Sequence, residues 1–391
     1  MTGRLFSIVV AIALALVVLA TACTAAPQPQ PAKQAEAPKT ETKPETKATQ
    51  PESKPQVSQA PKPAEPKAKE QPPKALSKVK VGIFRSLSDA GLYIAAEKGY
   101  FREEGIDIEF VEFDGIAKII PALAAGQLDV GTGSAGAGVY NAFKRDLPIK
   151  IVADKATPAP GRGYQGLIVR KDIWDSGAFK DYKDLKGKTV AVTSIGQGAG
   201  SEGMIDRALK KGGLTLRDID AVSITYTDIN AALAGKKIDV ALQMEPYLTQ
   251  ALEMGVAVRF KNADDFYPNQ QTAVLLYAPH FSQSNIDVAK RFMVGYLRGV
   301  RYYNDVLDKK LDKKEMVQIL VKNTPVKDPA MYDKMVYPGL NPDGYVNKQS
   351  LNDDQDLFIS KGYIKEKVPV DLVVDNQFAD YAVEKLGKYK K

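Results

Sequence analysis

The chain has 391 residues, a net charge of +7, one cysteine, one histidine and 26% charged side chains. A single cysteine excludes an intramolecular disulfide framework, and a single histidine excludes a histidine-rich metal site and allows at most one Ser–His or Cys–His pair. Residues 24–78 carry ten lysines against six glutamates, so with Arg4 set aside only +2 remains on residues 79–391, which is no footprint for nucleic acid.

Residues 1–23 begin with the basic Arg4, run apolar from position 5 to 19 and end in small residues, the layout of an export signal. Leu19-Ala20-Thr21-Ala22-Cys23 resembles the lipoprotein signal, with Ala20 where leucine is usual, so lipidation is expected at Cys23. The alternative is an uncleaved anchor, because residues 5–22 just reach bilayer-spanning length. Both readings place the remainder outside the cytoplasm. Residues 24–78 hold 12 of the 24 prolines and neither aromatic nor glycine. Such a segment cannot bury enough surface to offset its ordering entropy. It reads as an extended tether reaching roughly 170 Å at about 3.1 Å per residue.

From residue 79 the hydrophobic period changes to that of alternating strands and helices. Residues 79–84 read as a first strand, and Ser86 to Asp89 offers capping chemistry for a helix carrying Leu92, Ile94, Ala95, Ala96 and Phe101. A second strand at 106–113, a helix at 116–125, a short buried strand at 128–131, a helix at 137–145 and a strand at 149–153 follow. After the loop 157–163, residues 165–170 read as a strand leaving this lobe. The cycle then restarts with strands at 188–193, 221–226 and 238–244 and helices around 202–211 and 230–234. Residues 272–278 form a buried strand returning to the first lobe, and helices continue from Asp287. This alternation predicts parallel pairing with right-handed crossovers.

The second cycle repeats the first. Residues 122–130 (ALAAGQLDV) return as 232–240 (ALAGKKIDV), with five of nine positions identical. The apolar run around Val81 corresponds to that around Val190, and Gly105-Ile106 to Gly213-Leu214. Duplication of one βαβ-type unit is expected to produce two α/β lobes with a ligand cleft between them.

Two segments, 131–136 and 198–203, fit G-x-G-x-x-G, and Asp228 follows the next strand after the second. A dinucleotide site is the rival reading, but neither segment opens a βαβ unit directly at its strand end. Small residues at a helix start can instead present backbone N–H groups to an anion or polar edge, or simply make a tight turn. Hydroxyls at Ser134, Ser194 and Ser201 would add directional bonds. Glu245, at the end of a duplicated strand, is expected to meet a ligand N–H or hold the cleft edge, with Tyr247 stacking on a ligand or covering the sheet. No carboxylate pair stands out for acid–base work, a Ser–His pair could be built only through His280 on the returning segment, and neither a cofactor nor a metal is expected.

Tyr93-Ile94-Ala95-Ala96-Glu97-Lys98-Gly99-Tyr100-Phe101 followed by Glu104-Gly105-Ile106-Asp107, the 122–130 segment, Asp184-Leu185-Lys186-Gly187-Lys188, and Glu245-Pro246-Tyr247 together resemble the extracytoplasmic solute-binding proteins of ABC importers of the nitrate/sulfonate/taurine type, related to the thiamine-pyrimidine synthase fold. The resemblance runs from about residue 79 to 387 and also includes Gln355-Asp356-Leu357-Phe358 and Val374-Asp375 before Phe378. It implies an α/β periplasmic-binding-protein type II fold with two lobes, a two-segment hinge and C-terminal helices on lobe one. The expected divisions are a signal at 1–23, a tether at 24–78, lobe one at 79–170 and 271–391, and lobe two at 171–270. It implies ligand contacts at Ser86, Ser88, Gly133, Ser134, Ser194, Gly196, Gly198 and the Glu245 region, to which Ser201 and Tyr247 are added from the reading above. It implies a monomer that passes a small solute (sulfonate, nitrate-like anion, carboxylate or pyrimidine-type) to a permease and its ATPase. The alternatives are an enzyme akin to the pyrimidine synthases, disfavoured by the lack of a spare cysteine, and a sensor subunit.

Overall fold

The computed structural model describes residues 75–390 apart from Asp114. The signal segment, Cys23 and tether residues 24–74 lie outside the described residues. Ten strands form two five-stranded mixed sheets. The first has the order β2-β1-β3-β10-β4, from β1 (Ser77–Ile83), β2 (Ile106–Glu112), β3 (Val130–Gly133), β4 (Lys150–Ala156) and β10 (Ala273–Tyr277). The second has the order β7-β6-β8-β5-β9, from β5 (Gln165–Arg170), β6 (Thr189–Ala191), β7 (Asp220–Val222), β8 (Val240–Met244) and β9 (Ala257–Asn262). The two orders superimpose: three parallel strands, an inserted antiparallel strand, then an edge strand.

That inserted strand corrects the expectation of wholly parallel sheets. β10 runs antiparallel to β3 and β4, and β5 antiparallel to β8 and β9. Each arrives from the other half of the chain, so no right-handed crossover fixes its direction. Since β5 belongs to the second sheet, the chain first crosses at 157–164, before the boundary expected at 170. It crosses back between β9 and β10. Ser77 and Lys78, expected in the tether, already belong to β1, because Ser77 donates its N–H to Gly105 O at 2.9 Å. β7 stops at Val222 since Thr225 caps the helix Tyr226–Ala234.

The repeated Leu/Ile-Asp-Val motif has the same task in both halves. Asp129 Oδ2 accepts the Lys80 N–H at 2.8 Å, and Asp239 Oδ2 accepts the Thr189 N–H at 3.1 Å. Each carboxylate also holds a side chain from the strand that enters from the other half. Asp129 meets His280 Nε2 at 2.8 Å, just after β10, and Asp239 meets Arg170 Nη1 at 2.9 Å, at the end of β5. The motif therefore pins three strands at the end of the sheet away from the cleft. This gives His280 a structural partner.

The first sheet is covered by the helix Ala90–Glu97 and the long helix Ile286–Asp308, with Phe101 stacked on Phe292 at 4.9 Å. The C-terminal helix Gln377–Leu386 packs on the same sheet, where Phe378 meets Tyr277 edge to face at 4.9 Å. Tyr277 and Phe292 are fully enclosed, so these rings carry much of the core energy. Among the described residues no helix is long and apolar enough to cross a membrane.

Candidate functional site

The strands that open each half end in equivalent turns. Val81 pairs with Val130, and Val190 with Val240, which aligns Arg85 with Ser194. Both take left-handed backbone conformations, with φ of 52° and 58°. A side chain there is uncommon, and its recurrence in both halves marks a turn held by its surroundings. Each turn feeds residues into the space between the sheets.

On the first lobe, Ser86 begins the short 3-10 turn Leu87–Asp89, where Asp89 Oδ2 accepts the Ser86 N–H at 3.0 Å. The Ser86 and Ser88 hydroxyls are 2.7 Å apart. Lys155, on β4, donates from Nζ to Ser88 Oγ at 2.7 Å and lies 2.7 Å from Asp89 Oδ1. Lys155 is 1% exposed and Asp89 is fully enclosed. Burying an ion pair is stabilising only when the remaining bonding capacity is met. Asp89 meets this at Oδ2, through the Ser86 N–H and hydroxyl and the Tyr93 hydroxyl, the last at 3.4 Å, while Oδ1 has the Lys155 ammonium alone.

On the second lobe, the Ser201 hydroxyl donates to Thr193 O at 2.6 Å, and Thr193 Oγ1 donates to Ile224 O at 3.0 Å. The Tyr226 phenol oxygen accepts from Gln165 Nε2 at 3.3 Å. Burial pushes the Tyr226 phenol up to about 12, against the lowering effect of neighbouring Thr193 and Gln165, so it stays neutral at physiological pH.

These groups enclose a cavity of about 90 Å³, lined among others by Ser86, Ser88, Lys155, Gln165, Tyr226 and Thr272. At roughly 10–15 Å³ per water-sized sphere, that space suits a small polyatomic solute. The two glycine segments meet at its edge. Gly198 O accepts the Ala137 N–H at 2.8 Å, and a Cβ on Gly136 would lie 2.4 Å from the same oxygen. Gly198 itself has φ +66°, and its Cβ would press on Ala137.

Of the residues expected at the site, Ser86, Ser88, Gly133, Ser134, Ser194 and Ser201 line this cavity. Gly196 does not, and its N–H is taken by Glu202 Oε2 at 3.0 Å. Gly198 faces the partner loop and a neighbouring surface groove with Ile116 and Ser134. Tyr247 borders an adjoining opening, which shares Phe84, Tyr226 and Met244 with the cavity. Glu245 is turned into protein: it accepts the Thr249 N–H and hydroxyl, each at 2.9 Å, and the Arg259 guanidinium at 2.8 Å. It is fully enclosed, and burial raises its carboxyl above the usual range while Arg259 and Thr249 act against that rise. The sequence reading passed over Lys155, Tyr164, Gln165, Thr193, Tyr226 and Thr272. A lysine inside the apolar strand 150–156 was the available signal, since a charge placed there must be paired.

A wider groove of about 700 Å³ lies along the crossing segments, lined by Thr157, Arg162, Asn269, Gln271, Asn341 and Tyr345. It shares no lining residue with the cavity, and neither duplicated turn reaches it. Among the described residues no group of three or more His, Cys, Asp or Glu is placed to hold a metal.

Two mixed sheets joined by two crossings, with a cavity walled by equivalent turns from both, define a periplasmic-binding-protein type II architecture. Residues 87–305, more than half of the chain, match the family described as NMT1/THI5 like, and the chain belongs to that family. A Bacillus subtilis (strain 168) protein named for the binding of aliphatic sulfonates is 26% identical over 328 residues, 78% of this chain and 88% of its own length. The alkanesulfonate-binding protein SsuA of Xanthomonas axonopodis pv. citri, solved with MOPS bound, is 18% identical with a TM-score of 0.62, covering 78% of this chain and all of its own. The periplasmic nitrate-binding protein NrtA of Synechocystis PCC 6803 is 16% identical with a TM-score of 0.64, covering 80% and 89% of the two chains. The two structures share the fold.

Proposed function

We propose that this protein is the solute-binding component of an ABC importer, capturing a small sulfonate, nitrate-like anion, carboxylate or pyrimidine-type solute between its lobes and delivering it to a permease and its ATPase. The observation that carries the reading is the cavity between the lobes, with the buried Lys155 ammonium and a ring of hydroxyls from both halves. A ligand bonded to both walls favours the state in which the walls are together, because only that state offers both sets of contacts. The described lining contains hydroxyls, an amide and one ammonium, and no carboxylate, thiol or imidazole. That set recognises a polar solute. The relatives named for sulfonate and nitrate binding support the same class. On this reading the chain works outside the cytoplasm as a monomer, lipid-anchored at Cys23 and free to move on its proline-rich tether.

Thermal-shift screening of the full chain against alkanesulfonates, nitrate, carboxylates and pyrimidines tests the proposal. One class is expected to stabilise the fold by about 2.7 kcal/mol at a hundredfold excess over its Kd, and to be recovered chemically unchanged. Conversion of the recovered solute would contradict it, as would stabilisation by NAD alone. For the anchor, Cys23→Ser is expected to move the protein from the detergent to the aqueous phase, and unchanged partitioning would refute lipidation.

A further inference from the structure

Gln165 lines the cavity, is 5% exposed, and its Oε1 is buried with no hydrogen-bond donor. Its Nε2 donates to the Tyr226 phenol oxygen at 3.3 Å. With the amide nitrogen so engaged, the carbonyl of Gln165, an obligate acceptor, is left at the cavity wall without a donor. An acceptor buried without a partner leaves its desolvation cost uncompensated until a donor arrives.

The opposite wall has the complementary surplus. Lys155 has three N–H groups; one goes to Ser88 Oγ, and the ammonium makes an ion contact with Asp89 Oδ1 at 2.7 Å. Resting on the proposed solute-binding role, we infer that the solute is bifunctional: an anionic or acceptor group faces Lys155 and the lobe-one serines, and an N–H or O–H donor faces Gln165. Gln165 is thereby the residue that selects among solutes with the same anionic head. Sites that present a buried polar group to a substrate discriminate strongly against the analogue lacking its partner.

The test uses the full-length protein, calorimetric titration and matched pairs of probes: 2-aminoethanesulfonate and 2-hydroxyethanesulfonate against ethanesulfonate, and 3-aminopropanoate against propanoate. At least one donor-bearing probe is expected to bind tenfold or more tighter than its alkyl partner. Gln165→Leu should reduce that ratio to within twofold, while Gln165→Glu, which keeps an acceptor in place, should retain it. Equal binding of the alkyl and donor-bearing probes, a preference that survives Gln165→Leu, or a preference lost in Gln165→Glu would each overturn the inference while leaving the solute-binding reading standing. No binding of any probe, together with no hit in the wider thermal screen, would remove both.

Discussion

The carbonyl of Gly198 and the N–H of Ala137 meet at 2.8 Å, so the glycine loop of one half caps the first helical residue after the glycine loop of the other. A backbone donor that would be free in a separated lobe is paired when the lobes touch. Lobe contact is also held outside the cavity by Tyr363, whose hydroxyl donates to Glu202 Oε1 at 2.8 Å.

Because a methyl group on Gly136 would sit 2.4 Å from Gly198 O, a backbone atom, Gly136→Ala should keep the loops apart. The backbone at Gly136 has φ −84°, which alanine adopts without strain, so each lobe should fold normally. Titration of the solute identified by screening is expected to show affinity reduced about tenfold or more, with the melting temperature of the free protein little changed. An unaltered affinity would show that loop contact is not needed for capture.

Lys155→Met removes the partner of a fully enclosed carboxylate. Breaking a buried pair from one side costs roughly 3–5 kcal/mol, whereas replacing both members with apolar groups is often near neutral. Urea unfolding should therefore find Lys155→Met far less stable, and the double variant Asp89→Leu/Lys155→Met substantially restored. Solute binding should stay lost in both, which separates the ammonium's role in capture from its role in the fold.

Asp129→Ala and Asp239→Ala should behave alike. Each removes the acceptor of a backbone N–H and of the side chain on the entering strand; these groups are exposed or half-buried and reach water, so the cost should be about 1 kcal/mol per lost bond. Both lie at the end of the sheet remote from the cavity, so affinity for the solute should change less than twofold. A large loss of affinity in either variant would contradict this division of labour.

Burial pushes the Asp154 carboxyl up to about 7, against the opposing effects of the Asn341 N–H, the Gln271 amide and neighbouring Lys155. Its folded value lies above the unfolded one, so between about pH 4 and pH 7 the folded state holds a proton that the unfolded chain has released. Stability should accordingly fall as pH rises through that window, by up to ~1.4 kcal/mol per unit, and level off above it. Asp354, pushed up to about 6 mainly by burial, acts with the same sign. Chemical unfolding at pH 5, 6, 7 and 8 checks the slope, which Asp154→Asn should flatten.

Much of this protein was legible from its residues alone. The repeat, the α/β class, the strand positions of each half and the serines after the first strands follow from short-range rules: hydrophobic period, capping chemistry and the spacing of Gly and Asp. Those rules act over a turn of helix or a pair of strands, and they are written in adjacent side chains. Glu245 shows where they stop. At the end of a duplicated strand it looked available to a ligand, yet Arg259, fourteen residues on, claims it. Lys155 and Gln165 entered the site for the same reason in reverse. Their chemistry depends on Asp89 and Tyr226, which only long-range pairing brings near, and on which lone pair or proton is already in use once they arrive. The order of elements could thus be read locally, while the orientation of the inserted strands and the ownership of each buried polar group were settled only by packing, because both depend on contacts between segments far apart in the chain.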